Sequence, residues 1–174
     1  MFELDAPATQ EWKRERLASA GITALGEVAF VPIDFRTESV IDGLAAAGFS
    51  TARAAFVSWL GVSFYLDEQD IRKTLGALGG LAPRSELVMD YVLTPELRDA
   101  DGETYAGFAK PVSAQSGEPW LSEFTPEHMA ALLAEAGFSV VEQRGQRSAI
   151  DESLWTRTDG LKPSRLWMIA HSRR

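Results

Sequence analysis

Residues 27–61, EVAFVPIDFRTESVIDGLAAAGFSTARAAFVSWLG, place a strand, a helix and a second strand in a row. Glu27 to Ile33 is an apolar run rich in β-branched and aromatic residues, and it stops at Asp34. Thr37 is positioned to cap a helix over Glu38 to Ala47, and Gly48 supplies the left-handed residue that closes it. Ala54 to Trp59 is nearly continuous in apolar residues, the pattern of a strand buried on both faces. Two strands joined by a helix form a parallel pair, because a parallel connection must cross over.

The alternation extends both ways. Upstream, Met1 to Leu4 is a short apolar piece ending in Asp5, and Pro7 suits the first turn of a helix over Ala8 to Ala20 before Gly21. Downstream, Asp67 with Asp70 opens a helix to about Leu78, and Gly76, Gly79 and Gly80 read as its stop. Glu86 to Val92 reads as a strand. From Thr94 to Phe124 periodicity disappears. Pro95, Pro111, Pro119 and the turn signal Asp101-Gly102 predict a long loop, of the kind that serves as a lid or pocket wall. Thr125-Pro126 starts a helix over Glu127 to Ala136, followed by strands at Phe138 to Glu142 and Arg165 to His171. This order predicts one α/β domain over residues 1–174, an open sheet with helices on both faces.

Composition excludes several classes. The 174 residues hold no cysteine, which removes disulfides, thiolate metal sites and thiol nucleophiles together. Seventeen Lys and Arg against 25 Asp and Glu give a net charge of −8, the wrong sign for a nucleic-acid partner. No apolar run reaches the roughly 20 residues needed to span a bilayer, and the first residues lack the features of a secretory signal. The expectation is a cytoplasmic domain with no membrane or nucleic-acid partner. His128 and His171 are the two histidines, one in the first turn of a helix and one after the last strand. No protein metal site is expected from them.

In open α/β sheets, ligands bind at the carboxyl ends of the strands. Those ends carry Asp5, then Asp34 with Phe35, then Ser58-Trp59-Leu60-Gly61. A strand-end carboxylate either caps the following helix or accepts ribose hydroxyls or an adenine amino group. Position alone leaves both open. Trp120, on the irregular segment, is a candidate for a pocket wall, His128 a weaker candidate for the same site, and Trp167 reads as core.

Phe2-Glu3-Leu4-Asp5-Ala6-Pro7, Lys13, Val31-Pro32-Ile33-Asp34-Phe35-Arg36, Ser58-Trp59-Leu60-Gly61-Val62-Ser63-Phe64-Tyr65-Leu66 and Ser85-Glu86-Leu87-Val88-Met89-Asp90-Tyr91 follow one another in that order. Together they resemble the leucine carboxyl methyltransferase family, whose bacterial branch comprises S-adenosylmethionine-dependent O-methyltransferases. The resemblance runs from Met1 through the closing strand. It implies a Rossmann-like class I methyltransferase fold, a three-layer sandwich with a mostly parallel sheet and an antiparallel closing strand. It also implies S-adenosyl-L-methionine as cofactor and a small-molecule acceptor methylated on a carboxylate or hydroxyl oxygen. Asp5 matches the residue that binds the cofactor ribose, and Asp34 the one facing the adenine, with Phe35 beside it. Ser58, Trp59 and Gly61 match the floor of the cofactor site, and Tyr65 belongs to the same motif as a candidate acceptor contact. No catalytic residue is singled out. A carboxylate acceptor needs no general base, and the scarcity of histidines favours it.

Two departures stand out. Leu60 replaces the glutamate usual in the family's Trp-Glu-Gly step. The family's glycine loop and first strand would precede Phe2, so the expected sheet lacks its first strand unit, between the strand ending at Asp5 and the one ending at Trp59. The flanking strands are then expected either to close up or to pair with a second copy as a homodimer. The competing reading is a methyltransferase-like domain that does not bind cofactor.

Overall fold

Parallel pairing begins at the first residues. In a computed structural model that describes residues 1–23 and 26–174, β1 (Phe2–Asp5) lies beside β2 (Ala29–Pro32), with Phe2 opposite Ala29 and Asp5 opposite Pro32. The crossover is α1 (Pro7–Ser19), whose first position is a proline, where the missing N–H is no loss. The next helix, α2 (Val40–Ala46), starts later than Thr37 predicts. Ser39 is its cap, accepting the Asp42 N–H at 3.3 Å, whereas the Thr37 N–H is used in a turn to the Asp34 carbonyl. Gly48, at φ 90°, closes the helix, and the Phe49 N–H returns to the Leu44 carbonyl at 2.9 Å. The Phe49 ring packs edge-on against Phe2. These elements form one compact unit, Met1–Arg53, and residues Ala54–Arg174 form a second.

The second unit holds β3 (Phe56–Trp59), α3 (Glu68–Leu78), β4 (Glu86–Val92), α4 (Ala100–Gln115), α5 (Pro126–Glu135), β5 (Ser139–Gly145), α6 (Gln146–Ala149) and β6 (Trp167–Arg173). Its sheet runs β3-β4-β6-β5, with β3 parallel to β4 and β6 antiparallel to both neighbours. Alternation along β4 buries Leu87, Met89 and Tyr91 completely. The apolar stripes Ile71, Leu75 and Leu78 of α3 and Met129, Leu132 and Leu133 of α5 are buried with them. Inside this layer the Tyr91 hydroxyl donates to Gln143 Oε1 at 2.6 Å, and the Gln143 amide donates to the Pro126 carbonyl at 3.0 Å. Thus β4, β5 and α5 share one polar chain, and the buried hydroxyl keeps a partner. Gly79 follows α3 because the Ala136 carbonyl sits where a Cβ would be, at 2.0 Å.

Two expectations change. The strand at Ala54 to Trp59 is not buried on both faces. Phe56 is 67% exposed and Ser58 is exposed, and only Trp59 is buried, so the face carrying Phe56 and Ser58 is left largely uncovered; among the described residues β3 has β4 as its one neighbour. β1 likewise has one neighbour, β2, so each strand that flanks the expected gap keeps an open edge among the described residues. The Thr94 to Phe124 stretch is not a loop throughout, since α4 occupies sixteen of its residues. Its buried residues are Gly102 and Ala106, too small to leave an apolar stripe in the sequence, whereas Tyr105, Phe108 and Val112 are exposed.

Gly102 is required by a close approach. A Cβ there would lie 2.5 Å from the Arg165 carbonyl oxygen. Asp99 caps the helix at the same point, accepting the Gly102 N–H at 2.7 Å and the Arg165 N–H at 3.0 Å. The turn signal Asp101-Gly102 is therefore the first turn of a helix pressed against backbone. Arg98, its side chain 1% exposed, anchors the entry by donating to the Leu93 carbonyl and pairing with Glu103 and Glu123.

Gly102→Ala is expected to lower stability by roughly 1–3 kcal/mol, the range for forced overpacking. Gly107→Ala in the same helix meets nothing within 4 Å, and is expected to be neutral or to stabilise by up to about 1 kcal/mol. Urea denaturation of both variants checks the pair.

Candidate functional site

Asp5 ends β1 and Asp34 lies two residues past the end of β2, so both belong to the carboxyl edge of one parallel pair. The Ile33 N–H donates to the Asp5 carbonyl at 2.9 Å, which carries the ladder to the residue before Asp34. Asp5 does not cap α1: the N-cap is Ala6, and the Asp5 carboxylate accepts the Ala6 N–H at 2.8 Å. Its other oxygen faces Lys13 at 3.8 Å, while the Lys13 ammonium bonds Glu3 directly. Gln10, buried, also donates to Glu3, at 2.7 Å. Glu3 is thus occupied by its neighbours, and Asp5 is the carboxylate left toward solvent, 26% exposed. Asp34 is held in a fork by Arg36, with Nε to Oδ1 at 3.0 Å and Nη2 to Oδ2 at 2.9 Å. Phe35 follows it, half-buried.

In the second unit, the chain leaves β3 through Leu60 and Gly61, the latter at φ 73°. The Gly61 N–H donates to Asp90 Oδ1 at 2.9 Å, and the Ser63 hydroxyl donates to the Asp90 carbonyl at 2.6 Å. These two bonds fix the segment after β3 against β4. A cavity of about 420 Å³ opens there, at the carboxyl ends of the parallel pair. Leu60, Gly61 and Phe64 form one wall, Asp90 another, and Gln146, Trp167 and Ile169 close it. Behind the wall the rings of Phe64, Trp120 and Trp167 pack mutually at 4.8–5.3 Å, and Tyr65 packs on Phe64 at 4.3 Å.

Asp90 is the unusual lining residue. No Lys, Arg or His pairs with it among the described residues, and burial pushes its carboxyl above the usual carboxylate range. The Gly61 N–H bond opposes that shift without cancelling it.

The structure brings Gly61 into the cavity wall and Trp120 and Tyr65 into the ring cluster beside it. Ser58 stays exposed on β3 and Trp59 is buried, neither among the cavity residues. His128 stands apart on α5, its ring against Phe124 and its Nε2 3.4 Å from Glu68. Trp167, expected as core, is half-buried and lines the cavity, because it is the first residue of an antiparallel strand and so reaches the carboxyl edge. His171 pairs with Glu86 at 2.8 Å, a bond that holds the Glu86 carboxyl below its ordinary range. Sequence reasoning passed over Asp90, although an acid inside the run Glu86 to Val92 was the available signal. Gln146 carried none. No group of acidic and histidine side chains suited to a metal ion occurs among the described residues, and no described helix is long and apolar enough to cross a membrane.

Asp90→Asn keeps an oxygen for the Gly61 N–H and removes the charge. Because folding raises this carboxyl's pKa, the fold bears no penalty at pH below the unfolded value, an increasing one as pH rises from there to the folded value, and the full penalty above it. The variant is therefore expected to melt higher than the wild type near pH 8 and together with it near about pH 3. Thermal scans at both pH values check this, and a gain confined to acid would contradict burial as the cause.

Comparison with known proteins agrees with this architecture. The leucine carboxyl methyltransferase family matches residues 1–79. YktD of Bacillus subtilis strain 168, classed by its name among the S-adenosyl-L-methionine-dependent methyltransferases, is 31% identical over 162 residues. That match covers 92% of this chain and 53% of YktD, so the chain spans about half the length of this curated relative. Among solved structures, a DUF574 family protein from Streptomyces avermitilis superposes with a TM-score of 0.65 at 18% identity, covering 99% of this chain and 64% of that one. A SAM-dependent methyltransferase from Methanosarcina mazei gives 0.63 at 13%, covering 99% and 81%. The shared fold is the Rossmann-like methyltransferase fold. By these matches, the chain is similar to the leucine carboxyl methyltransferase family over residues 1–79 and to YktD over most of this chain's length.

Proposed function

We propose that this chain serves S-adenosylmethionine-dependent O-methylation of a small-molecule acceptor. The observation that carries the reading is an apolar cavity at the carboxyl ends of β3 and β4 in the second unit, and in the first unit Asp5 is a solvent-facing carboxylate at a parallel strand end. The residues present suit the cofactor's chemistry: Asp5 offers an oxygen to ribose hydroxyls, Asp34 offers one to the adenine amino group, and Phe35 offers a ring face to the base. In the second unit Gly61 lines the cavity, while Ser58 and Trp59, expected as cofactor contacts, stay outside it. The bound cofactor supplies an electrophilic methyl group on a sulfonium. The chain's own contribution is position and the exclusion of water, through the Phe64, Trp120 and Trp167 rings beside the cavity. The segment 94–124 serves as the acceptor-side wall or lid. Trp120 joins it to the ring cluster, and Tyr105, Phe108 and Val112 give α4 an exposed apolar side.

One observation favours the competing reading of a domain that keeps the fold without binding cofactor. Arg36 already occupies both oxygens of Asp34. Calorimetric titration with S-adenosylhomocysteine separates the two: saturable heat supports the enzyme, and its absence supports the alternative. If binding occurs, Asp5→Ala is expected to weaken it by roughly 1–3 kcal/mol, the scale of a lost charged hydrogen bond. Arg36→Ala, which releases Asp34, is expected to strengthen it.

The open edges of β1 and β3 also support self-association, since unpaired strand edges template further pairing. Light scattering is expected to show a homodimer. A monodisperse monomer that binds cofactor at micromolar strength would remove this part of the reading.

A further inference from the structure

The cavity between β3, β4 and β6 carries a chemical preference of its own. Its walls are apolar side chains and rings, with two polar side chains, Asp90 and Gln146. Gln146 Oε1 is taken by the Ser164 N–H at 2.9 Å. Asp90 commits Oδ1 to the Gly61 N–H, and its second oxygen receives no hydrogen bond from another residue among the described ones. Basic side chains on the same sheet face are occupied. Arg144, opposite Ile169 on β5, bonds Glu142 and the Ser148 carbonyl, and His171 bonds Glu86.

We propose that this cavity binds a flat, apolar acceptor through a neutral hydroxyl that donates to Asp90, and that Asp90 thereby selects against carboxylate acceptors. An uncompensated carboxylate repels a second carboxylate at close range, and apolar walls weaken the screening that water would provide. A hydroxyl has the donor that Asp90 lacks, and a neutral group is cheaper to bring into an apolar site than a charged one. That last point separates the hydroxyl from an ammonium, which must shed its own hydration to enter. The Phe64 and Trp167 rings in the lining suit a ring rather than a flexible chain. The choice of an oxygen acceptor rests on the methyltransferase reading, whereas the exclusion of carboxylates rests on Asp90 alone.

The test is calorimetric titration of the 174-residue chain, without cofactor, with three probes that share one ring and one attachment point: naphthol, naphthoate and naphthylmethylammonium. Naphthol is expected to bind at least about tenfold more tightly than either of the others, a difference of about 1.4 kcal/mol. Asp90→Asn, checked for folding by circular dichroism, is expected to shrink the gap between naphthol and naphthoate by improving naphthoate. Ile169→Trp, which fills the cavity, is expected to abolish naphthol binding with the fold retained. Equal affinity for naphthol and naphthoate, a gap unchanged in Asp90→Asn, tightest binding of the ammonium, or no saturable binding of naphthol would each overturn the proposal. Because no probe is a cofactor, failure here is distinguishable from failure of S-adenosylhomocysteine to bind.

Discussion

The antiparallel ladder between β4 and β6 is the constraint on which the larger unit depends. Glu86 to Val92 pairs residue by residue with Arg173 back to Trp167. Side chains on a strand alternate with a period of two, so a slip of one residue would exchange the covered face for the open one. The register as found puts Leu87, Met89 and Tyr91 under α3 and α5. On the opposite face it puts Asp90 beside Ile169 and Val92 beside Trp167. The cavity is a product of that register. It is closed from the other side by the segment after β3, which the Gly61 and Ser63 bonds fasten to Asp90.

Charge is handled in two opposite ways across the chain. Where a guanidinium is buried, it is surrounded: Arg98 bonds a carbonyl and pairs with Glu103 and Glu123, and Lys110 also reaches Glu123. Such an arrangement orders the entry to α4 more than it stabilises the fold, because desolvation offsets much of the attraction. Asp90 is treated otherwise. It is given backbone N–H groups, those of Gly61 and its own residue, and no cation among the described residues, in a mostly apolar wall, and burial raises its pKa. A destabilising feature of this kind, placed in a cavity at the carboxyl ends of strands, is where ligand chemistry is to be sought.

Much of the framework was legible before the structure. Strand ends are marked by apolar runs that stop at an acid, which located Asp5 and Asp34 at the edge of a parallel pair. Helix ends are marked by glycine, and Gly21, Gly48 and Gly137 all adopt positive φ after α1, α2 and α5. Those signals are local, depending on backbone hydrogen bonds and conformational freedom within a few residues. α4 escaped notice for an equally physical reason. Its contact face is built from two residues too small to leave an apolar stripe: Gly102, pressed against the Arg165 backbone, and Ala106, packed with Phe64, Val92 and Leu166.

The amino-acid sequence by itself therefore determined the alternation of strands and helices and the positions of the strand-end carboxylates, since each is written in short-range pattern. The tertiary structure alone decided which strand lies next to which, that β3 is an edge with Phe56 exposed, and that residues as distant as Leu60, Asp90, Gln146 and Trp167 line one cavity. These follow from the order β3-β4-β6-β5 and its register. Such order arises from hydrogen bonding between segments far apart in the chain, and no local periodicity encodes it.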